Sequence, residues 1–244
     1  MLLGDKLKIV TSICMGMMLV SSAAWAGISL TNTRVIYPSN EVYINVQLKN
    51  QLDKPALAQV WIDNGNPDVM PDAKEIPFLV TPPVSRVNAK SNQVVRLMLK
   101  PNQALQQDRE SIYWFNLLDI PPLTKAEQDK NVIQFSVRSR LKLIYRPQNL
   151  TMSQTEAYKS LEFTQMTNQQ AIKINNPSPY YITFSSLKFK DSSIKAFAYH
   201  SDVMLSPFSS ATIQMNQFKS PLTRVDYEVL NDLGGQIKFE ADIR

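Results

Sequence analysis

The chain has 244 residues, of which 26 are lysine or arginine and 21 are aspartate or glutamate, so its formal net charge is +5. This small basic excess, with no run of bases interleaved with aromatic residues, argues against a nucleic-acid-binding protein. The single cysteine and single histidine argue against a disulfide framework and against a zinc site built from the usual ligands.

Residues 1–26 have the features of a secretory signal peptide. Lys6 and Lys8 form a basic start, Ile9–Val20 is a mostly apolar run, and Ala24–Ala26 (AWA) is a small-x-small cleavage site. The apolar run is too short to span a bilayer as a helix, which disfavours the alternative of an uncleaved membrane anchor. We therefore expect cleavage after this site, which would also remove the only cysteine, Cys14.

Residues 27–148 are predicted to form an immunoglobulin-like β-sandwich domain. The sequence consists of short segments of β-branched, aromatic and alternating apolar residues, separated by turns rich in proline, asparagine, aspartate and glycine. The predicted strands are Ile28–Tyr37, Val42–Leu48, Ala56–Ile62, Pro77–Thr81, Asn92–Leu99, Ser111–Ile120 and a long strand within Asn131–Pro147. Many short strands with turn signals between them are typical of this sandwich.

The long strand is the most informative segment. From Ile133 apolar and polar residues alternate until Ile144, which predicts one apolar face and one polar face. The segment contains no acid and ends at Pro147, because proline cannot donate a hydrogen bond to a neighbouring strand. Its bases are Arg138, Arg140, Lys142 and Arg146. A strand of this kind lies either in the middle of a sheet or at an edge prepared for a specific partner.

After Pro147 the composition shifts, and residues 149–244 are predicted to form a second, smaller immunoglobulin-like domain. Gln148–Lys159 is polar and is interpreted as a linker, and short strand-like segments follow it. No segment has sustained helical periodicity, although Ala104–Arg109 and Thr124–Lys130 each allow a turn or two of helix. The predicted fold class is therefore all-β, with two immunoglobulin-like sandwiches.

Few residues could carry catalysis or bind a metal. His200 is followed by Ser201–Asp202, but the members of a catalytic triad meet in space rather than in sequence, and no G-x-S-x-G turn is present. Asp63, Asp68 and Asp72 crowd one loop, but their spacing matches no EF-hand, so we interpret them as turn residues. We expect no enzyme activity, no metal and no cofactor.

Four segments carry a resemblance to a known family. They are Thr33–Pro38 (TRVIYP), Gln107–Asn116 (QDRESIYWFN), Arg140–Pro147 (RLKLIYRP) and Leu230–Gly235 (LNDLGG). In this order they resemble the PapD-like family of periplasmic pilus-assembly chaperones, and the short loop before the long strand is similar to its short-loop branch. The resemblance implies two domains in a boomerang arrangement, a periplasmic location, and stabilisation of pilus (fimbrial) subunits.

The resemblance also implies donor-strand complementation. In this mechanism subunits are sandwiches that lack a strand, and the chaperone lends its long seventh strand before delivering them to an outer-membrane usher. By this match Arg34 and Lys142 bind the subunit's C-terminal carboxylate, while Ile133, Phe135 and Val137 fill successive pockets of its groove. An ideal flat strand would place Lys142 and these apolar residues on opposite faces, which twist or a bulge would have to reconcile.

Several further expectations follow from the resemblance. Glu110, Arg146 and Asp232 match positions that form a salt bridge between the domains, and Pro82–Pro83 matches a site with a cis bond. Leu233 stands where the family usually has an aromatic residue. Self-capping as a dimer is one way in which the free protein could protect its apolar edge.

Two alternatives to a chaperone remain open on the sequence. The chain could be a pilus subunit or adhesin, which the lack of cysteine after residue 26 disfavours. It could also be a secreted sugar-binding or enzymatic β-sandwich, but no polar, aromatic-lined pocket can be assembled from the sequence.

Overall fold

The computed structural model describes residues 27–69, 71–72, 74–123, 130–166, 170–191, 196–199, 203–215 and 221–244. The predicted signal peptide, His200 with Ser201–Asp202, and most of Thr124–Lys130 lie outside these ranges. The first part of the chain is built of short strands, as the alternating patterns predict. They are β1 (Ile28–Leu30), β2 (Arg34–Pro38), β3 (Tyr43–Asn50), β4 (Ala56–Asp63), β5 (Phe78–Thr81), β6 (Val84–Val87), β7 (Asn92–Leu99), β8 (Ser111–Ile120) and β9 (Val137–Arg146).

These strands form two sheets that face each other. The strand order is β1-β3-β7-β5 in one sheet and β2-β9-β8-β4-β6 in the other. Alternate side chains of each strand enter the space between the sheets and form one apolar core. Its largest fully buried side chains are Tyr37, Phe115, Leu48, Leu97, Leu117 and Leu143.

The first predicted strand, Ile28–Tyr37, is two strands in different sheets. β1 pairs with β3, whereas β2 pairs in parallel with β9. The chain bends at residues 31–33 between them and so passes from one sheet to the other. The apolar pattern cannot reveal this change, because both strands contribute residues to the same core.

The prediction that the long strand starts at Ile133 is wrong, because β9 begins at Val137. The residues before Val137 do alternate, but a strand also needs a neighbour for its backbone groups. Val137 lies opposite Asp119 of β8, and β8 ends one residue later at Ile120. No described strand therefore continues alongside Asn131–Ser136, a fact that periodicity cannot show.

The second part of the chain forms another pair of sheets with a separate core. Its strands are β10 (Glu162–Met166), β11 (Ala171–Asn176), β12 (Ile182–Asp191), β13 (Ala196–Tyr199), β14 (Met204–Leu205), β15 (Ser209–Gln214), β16 (Leu222–Leu230) and β17 (Gln236–Asp242). One sheet has the order β10-β11-β15 and the other β13-β12-β16-β17, with β14 beside β12. The two cores share no residue. None of the described residues belongs to a helix long and apolar enough to cross a bilayer.

The predicted linker Gln148–Lys159 contains a short helix, α1 (Gln154–Lys159). Ser153 and Glu156 form a capping box, in which each side chain accepts a hydrogen bond from the other residue's backbone N–H. Tyr158 is buried in the second core. A helix of this length shows no periodicity, so only the capping residues indicate it. The other candidate within the described residues, Ala104–Arg109, forms no helix.

Each part of the chain thus has its own pair of sheets and its own core, and the parts meet at the end of β9. The structure is two immunoglobulin-like β-sandwiches in a boomerang arrangement, which confirms the predicted fold class. The cleft between the two sandwiches lies beside the outer face of the β2-β9-β8-β4-β6 sheet, where first-domain side chains hydrogen-bond to the second domain.

Replacing Ser153 tests the capping box. We expect Ser153→Ala to lower the free energy of unfolding by about 1 kcal/mol, because backbone N–H groups in the first turn of α1 lose their acceptor. Urea unfolding measures this change. Thr155→Ala, at an exposed position of the same helix, is the control and should change the free energy by less than about 0.5 kcal/mol. An equal loss in both variants would contradict the capping role.

Candidate functional site

The first half of β9 has a neighbouring strand on one side only. On one side, β8 pairs with β9 from Val137 to Tyr145. On the other side, β2 pairs only from Lys142 onward, where Arg34 lies opposite Lys142. Within the described residues, no strand lies beside Val137–Leu141 on that side. Its backbone N–H and C=O groups are therefore available to a strand from another chain.

The apolar residues predicted to enter a partner are among the most exposed of the described chain. Ile133 is 85% exposed, Phe135 is 78% exposed and Val137 is 61% exposed. Leu143 and Tyr145, which have the same parity farther along β9, are buried in the core of the first domain. Large apolar side chains are normally buried away from water. Three exposed ones at alternate positions of one segment therefore indicate a surface that a partner covers.

An open cavity lined by both polar and apolar residues lies along the unpaired side of β9. Its volume is about 280 Å³. The side chains that line it include Leu141, Leu30, Val35, Ile44 and Val46. The cavity therefore opens between the two sheets of the first domain, at the edge that lacks a strand.

Arg34 and Lys142 lie side by side on the opposite face of the sheet. They are register partners in β2 and β9, and both reach the second domain. Arg34 Nη1 donates to the Leu230 carbonyl oxygen at 3.3 Å, and Lys142 Nζ lies 3.2 Å from Thr183 Oγ1. Arg34 is only 7% exposed, and its Nε has no hydrogen-bond partner. Burial lowers the pKa of Arg34, an effect that Tyr158 and the acids of the cleft partly offset.

The opposite parity of Lys142 and the exposed apolar residues therefore needs no bulge to explain it. The register between β8 and β9 is regular from Val137 to Tyr145. Lys142 therefore faces the second domain, while Val137 and Leu143 have the parity of the first-domain core. Two cations close together at the base of a cleft can bind a carboxylate through charge-assisted hydrogen bonds.

The three residues predicted to form an interdomain salt bridge lie together at the end of β9. Arg146 Nε lies 2.6 Å from Glu110 Oε1, and Arg146 Nη1 lies 2.7 Å from Asp232 Oδ2. Glu110 Oε2 also accepts a hydrogen bond from the Tyr181 backbone N–H at 2.8 Å. Residues from both domains thus share one network of hydrogen bonds and ion pairs.

The net pKa shifts of the two acids in this network have opposite directions. It raises the pKa of Glu110, and the opposing effect of Arg146 does not fully offset it. Burial would also raise the pKa of Asp232, but the hydrogen bonds and charge of Arg146 outweigh it and lower that pKa. For Arg146, burial would lower the pKa, but the hydrogen bonds that it donates to Asp232 and the charge of Glu110 raise it instead.

The sequence interpretation missed a second charged cluster, which is centred on Asp63. The prediction of a turn residue is correct in part, since Asp63 Oδ1 accepts from the Gly65 N–H at 2.8 Å. The carboxylate is also buried, and it lies 2.6 Å from Arg140 Nη2 and 2.8 Å from Asn116 Nδ2. Arg138 Nη2 lies 3.6 Å from it. The run of bases in β9 without any acid was a sequence signal that an acid from another strand would pair with them.

The same two arginines also stack on aromatic rings. The Arg138 guanidinium lies 5.0 Å from the ring centre of Trp61, and the Arg140 guanidinium lies 4.7 Å from that of Trp114. These contacts connect the first half of β9 to β4 and β8 across the face of the sheet. They therefore hold β9 in place over the residues where β2 does not pair with it.

The remaining sequence candidates form no further site in the described part of the chain. Asp72 Oδ1 accepts from the Lys74 N–H in a local turn, as interpreted. The Thr81–Pro82 peptide bond is cis. No group of three or more histidine, cysteine or acidic residues in the described ranges is placed to hold a metal ion. His200 lies outside those ranges.

Replacing Asp63 tests the second cluster through its pH dependence. Burial would raise the pKa of Asp63, but the hydrogen bonds from Arg140 and Asn116 bring it below its ordinary value of 3.8. Ionised Asp63 therefore stabilises the fold above this pH, and the stabilisation is lost as the pH falls through the lowered pKa. Asp63→Asn should be less stable than wild type at pH 7 in urea unfolding, and the difference should shrink below pH 3.8.

The control for this measurement is Asp68→Asn, an exposed acid in the same loop, which should match wild type at every pH tested. A stability difference between Asp63→Asn and wild type that stays constant down to the acid transition would contradict the assigned role of the carboxylate.

The comparisons with known proteins agree over nearly all of the chain described here. Residues 27–151 match the family model described as "Pili and flagellar-assembly chaperone, PapD N-terminal domain", and residues 156–241 match "Pili assembly chaperone PapD, C-terminal domain". The chaperone protein MrkB of Klebsiella pneumoniae is 39% identical over 92% of this chain and 95% of that protein. The probable fimbrial chaperone YadV of Escherichia coli K12 is 36% identical over 96% and 97%.

Solved structures show the same similarity. The crystal structure of the YadV chaperone has 35% identity and a TM-score of 0.74, and it covers 89% of this chain and 100% of that one. The Pseudomonas aeruginosa CupB2 chaperone has 32% identity and a TM-score of 0.75, and it covers 88% and 100%. These relatives are named as chaperones rather than as enzymes. The chain therefore belongs to the PapD family of pilus-assembly chaperones, which act in the chaperone–usher pathway of fimbrial assembly and are not enzymes.

Proposed function

We propose that this protein works in the periplasm, after cleavage of residues 1–26, and binds pilus subunits by donating the unpaired side of β9. The subunit pairs its own strand with Val137–Leu141 and with the segment before it. Ile133, Phe135 and Val137 then fill successive pockets in the subunit's groove, because alternate residues of an extended chain point to the same side. The absence of a neighbouring strand beside Val137–Leu141 is the observation that carries this proposal.

Arg34 and Lys142 anchor the end of the bound subunit. Its C-terminal carboxylate accepts hydrogen bonds from both cations at the base of the cleft, where the burial of Arg34 strengthens such bonds. The anchor lies where pairing between β2 and β9 begins. A carboxylate held there sets the register of the subunit strand along β9, and so determines which pocket receives each apolar residue.

The network of Glu110, Arg146 and Asp232 sets the angle between the two domains. Arg146 contacts an acid from each domain, so the network constrains both domains at once. A constrained angle keeps the cleft open to the subunit while the complex is delivered to the outer-membrane usher. Glu110 is buried, and removing a buried charge from water offsets much of the attraction between the ions. We therefore assign the network to orientation rather than to stability.

Lys142→Ala tests the anchor. We expect recovery of a co-expressed cognate pilus subunit in a periplasmic pull-down to fall about tenfold or more, because the carboxylate loses one of its two charged donors. The fold should remain intact by circular dichroism. The control is Lys173→Ala, which removes an exposed lysine from the second domain and should leave recovery unchanged. Normal recovery with Lys142→Ala would contradict the anchor.

Phe135→Asp tests the donor segment. A carboxylate cannot enter an apolar pocket without a large desolvation cost, so this variant should fold but recover almost no subunit. Val94→Asp, at an exposed position of β7, is the matched control and should bind normally. Equal recovery with both variants would show that this segment is not the donor.

The same two variants test whether the protein forms a dimer in the absence of a subunit. If two copies cap each other's apolar edges in the absence of a subunit, wild type and Val94→Asp run as dimers in gel filtration and Phe135→Asp runs as a monomer. Wild type that is monomeric at every concentration would exclude this self-capping dimer.

A further inference from the structure

Asp119 is a buried carboxylate that has no basic partner among the described residues. It is 7% exposed and has the same parity in β8 as Phe115 and Leu117, which are core residues. Its Oδ2 accepts a hydrogen bond from the Ile28 backbone N–H at 2.8 Å, whereas its Oδ1 has no hydrogen-bond partner. A buried carboxylate with half of its acceptors unused is costly unless a cation is supplied.

The backbone of Gly27 lies against this carboxylate. A Cβ atom at residue 27 would come within 1.7 Å of Asp119 Oδ2, so any side chain there would force the carboxylate to move. A Cβ and the α-nitrogen are bonded to the same Cα, which places the nitrogen of Gly27 within about 4 Å of Oδ2. The position of Gly27 is fixed by neighbouring contacts, since its carbonyl oxygen accepts from the Gln51 N–H and Ile28 pairs with Asn50.

We propose that the α-amino group of Gly27, released when the signal peptide is cleaved, forms a buried ion pair with Asp119. This inference rests on the proposed export of the chain and cleavage after Ala26. Hydrolysis adds water across the Ala26–Gly27 peptide bond, with the new carboxylate on Ala26 and a protonated amino group on Gly27. An α-ammonium carries a positive charge and three donors at neutral pH, whereas the amide before cleavage has one N–H and no charge.

The ion pair would couple processing to the subunit-binding edge. Asp119 lies opposite Val137, the first residue of β9, and so marks the point where the unpaired side begins. Gly27 precedes β1, which leads through the bend at residues 31–33 to Arg34 in β2. One contact thus ties the new N-terminus, the end of β8 and the start of β9 together. The precursor cannot form it, so its first strand is held less firmly than that of the processed protein.

A double-mutant cycle on the processed chain tests the pair. One fusion protein is cut to leave Gly27 as the first residue, and a matched fusion leaves one extra alanine before Gly27, which turns its nitrogen back into an amide. Both are made with Asp119 and with Asp119→Asn, and the unfolding equilibrium constant is measured in urea at pH 7. The extra alanine should raise this constant about tenfold or more with Asp119 and less than about twofold with Asp119→Asn.

Asp72→Asn, which removes an exposed acid, is the control and should retain the full effect of the extra alanine. Equal effects in the Asp119 and Asp119→Asn backgrounds would overturn the inference. A crystal structure of the chain that starts at Gly27 gives a direct check: the α-nitrogen should lie within about 3.2 Å of an Asp119 carboxylate oxygen. A nitrogen directed into solvent would also overturn it.

The intact mass of the protein exported to the periplasm separates this inference from the proposed function. A first residue other than Gly27 would overturn both the cleavage position and the ion pair, while subunit recovery in the pull-down would be unaffected. Gly27 as the first residue, without coupling to Asp119, would overturn the ion pair alone.

Discussion

Val137–Leu141 belongs to a sheet on one side only, and much of the first domain is arranged around this constraint. Backbone N–H and C=O groups in a folded protein are nearly always paired, and large apolar side chains are usually buried. Here both requirements are left unmet on one side of β9. An edge in this condition would aggregate unless a specific partner covered it. The edge must also keep its shape while it is uncovered.

The two faces of the sheet have different roles: one holds β9 in place, and the other leaves the edge available to a partner. On the outer face, Asp63 and the aromatic rings of Trp61 and Trp114 hold Arg138 and Arg140, so β9 is secured by side chains where it lacks a neighbouring strand. On the inner face, β9 keeps the parity of the core: Leu143 and Tyr145 are buried, while Val137 at the start of the strand stays exposed. The charged contacts therefore stabilise the edge without covering the surface that a partner strand would need.

The end of β9 joins the edge to the second domain. Arg146 contacts Glu110 from the first domain and Asp232 from the second. Burial raises the pKa of both acids, but Arg146 outweighs it only at Asp232, so the net shifts are upward for Glu110 and downward for Asp232. Lowering the pH therefore acts on them with opposite sign: protonation of Asp232 removes a stabilising charge, whereas burial already favours the protonated form of Glu110. The two contributions to stability therefore partly cancel as the pH falls.

The sequence by itself determined the all-β class, the division into two sandwiches, the alternation within β9 and, through the resemblance, the residues of the cleft. These features depend on local patterns and ordered motifs. Only the tertiary structure decided that Ile28–Tyr37 divides between two sheets, that β9 starts at Val137, and that Asp63 pairs with Arg140. Each of these depends on which segments become neighbours in space, because a strand ends where its partner ends and the buried acid Asp63 requires a base from another strand. A periodic pattern records which side chains share a face, but it does not identify the strand that lies alongside.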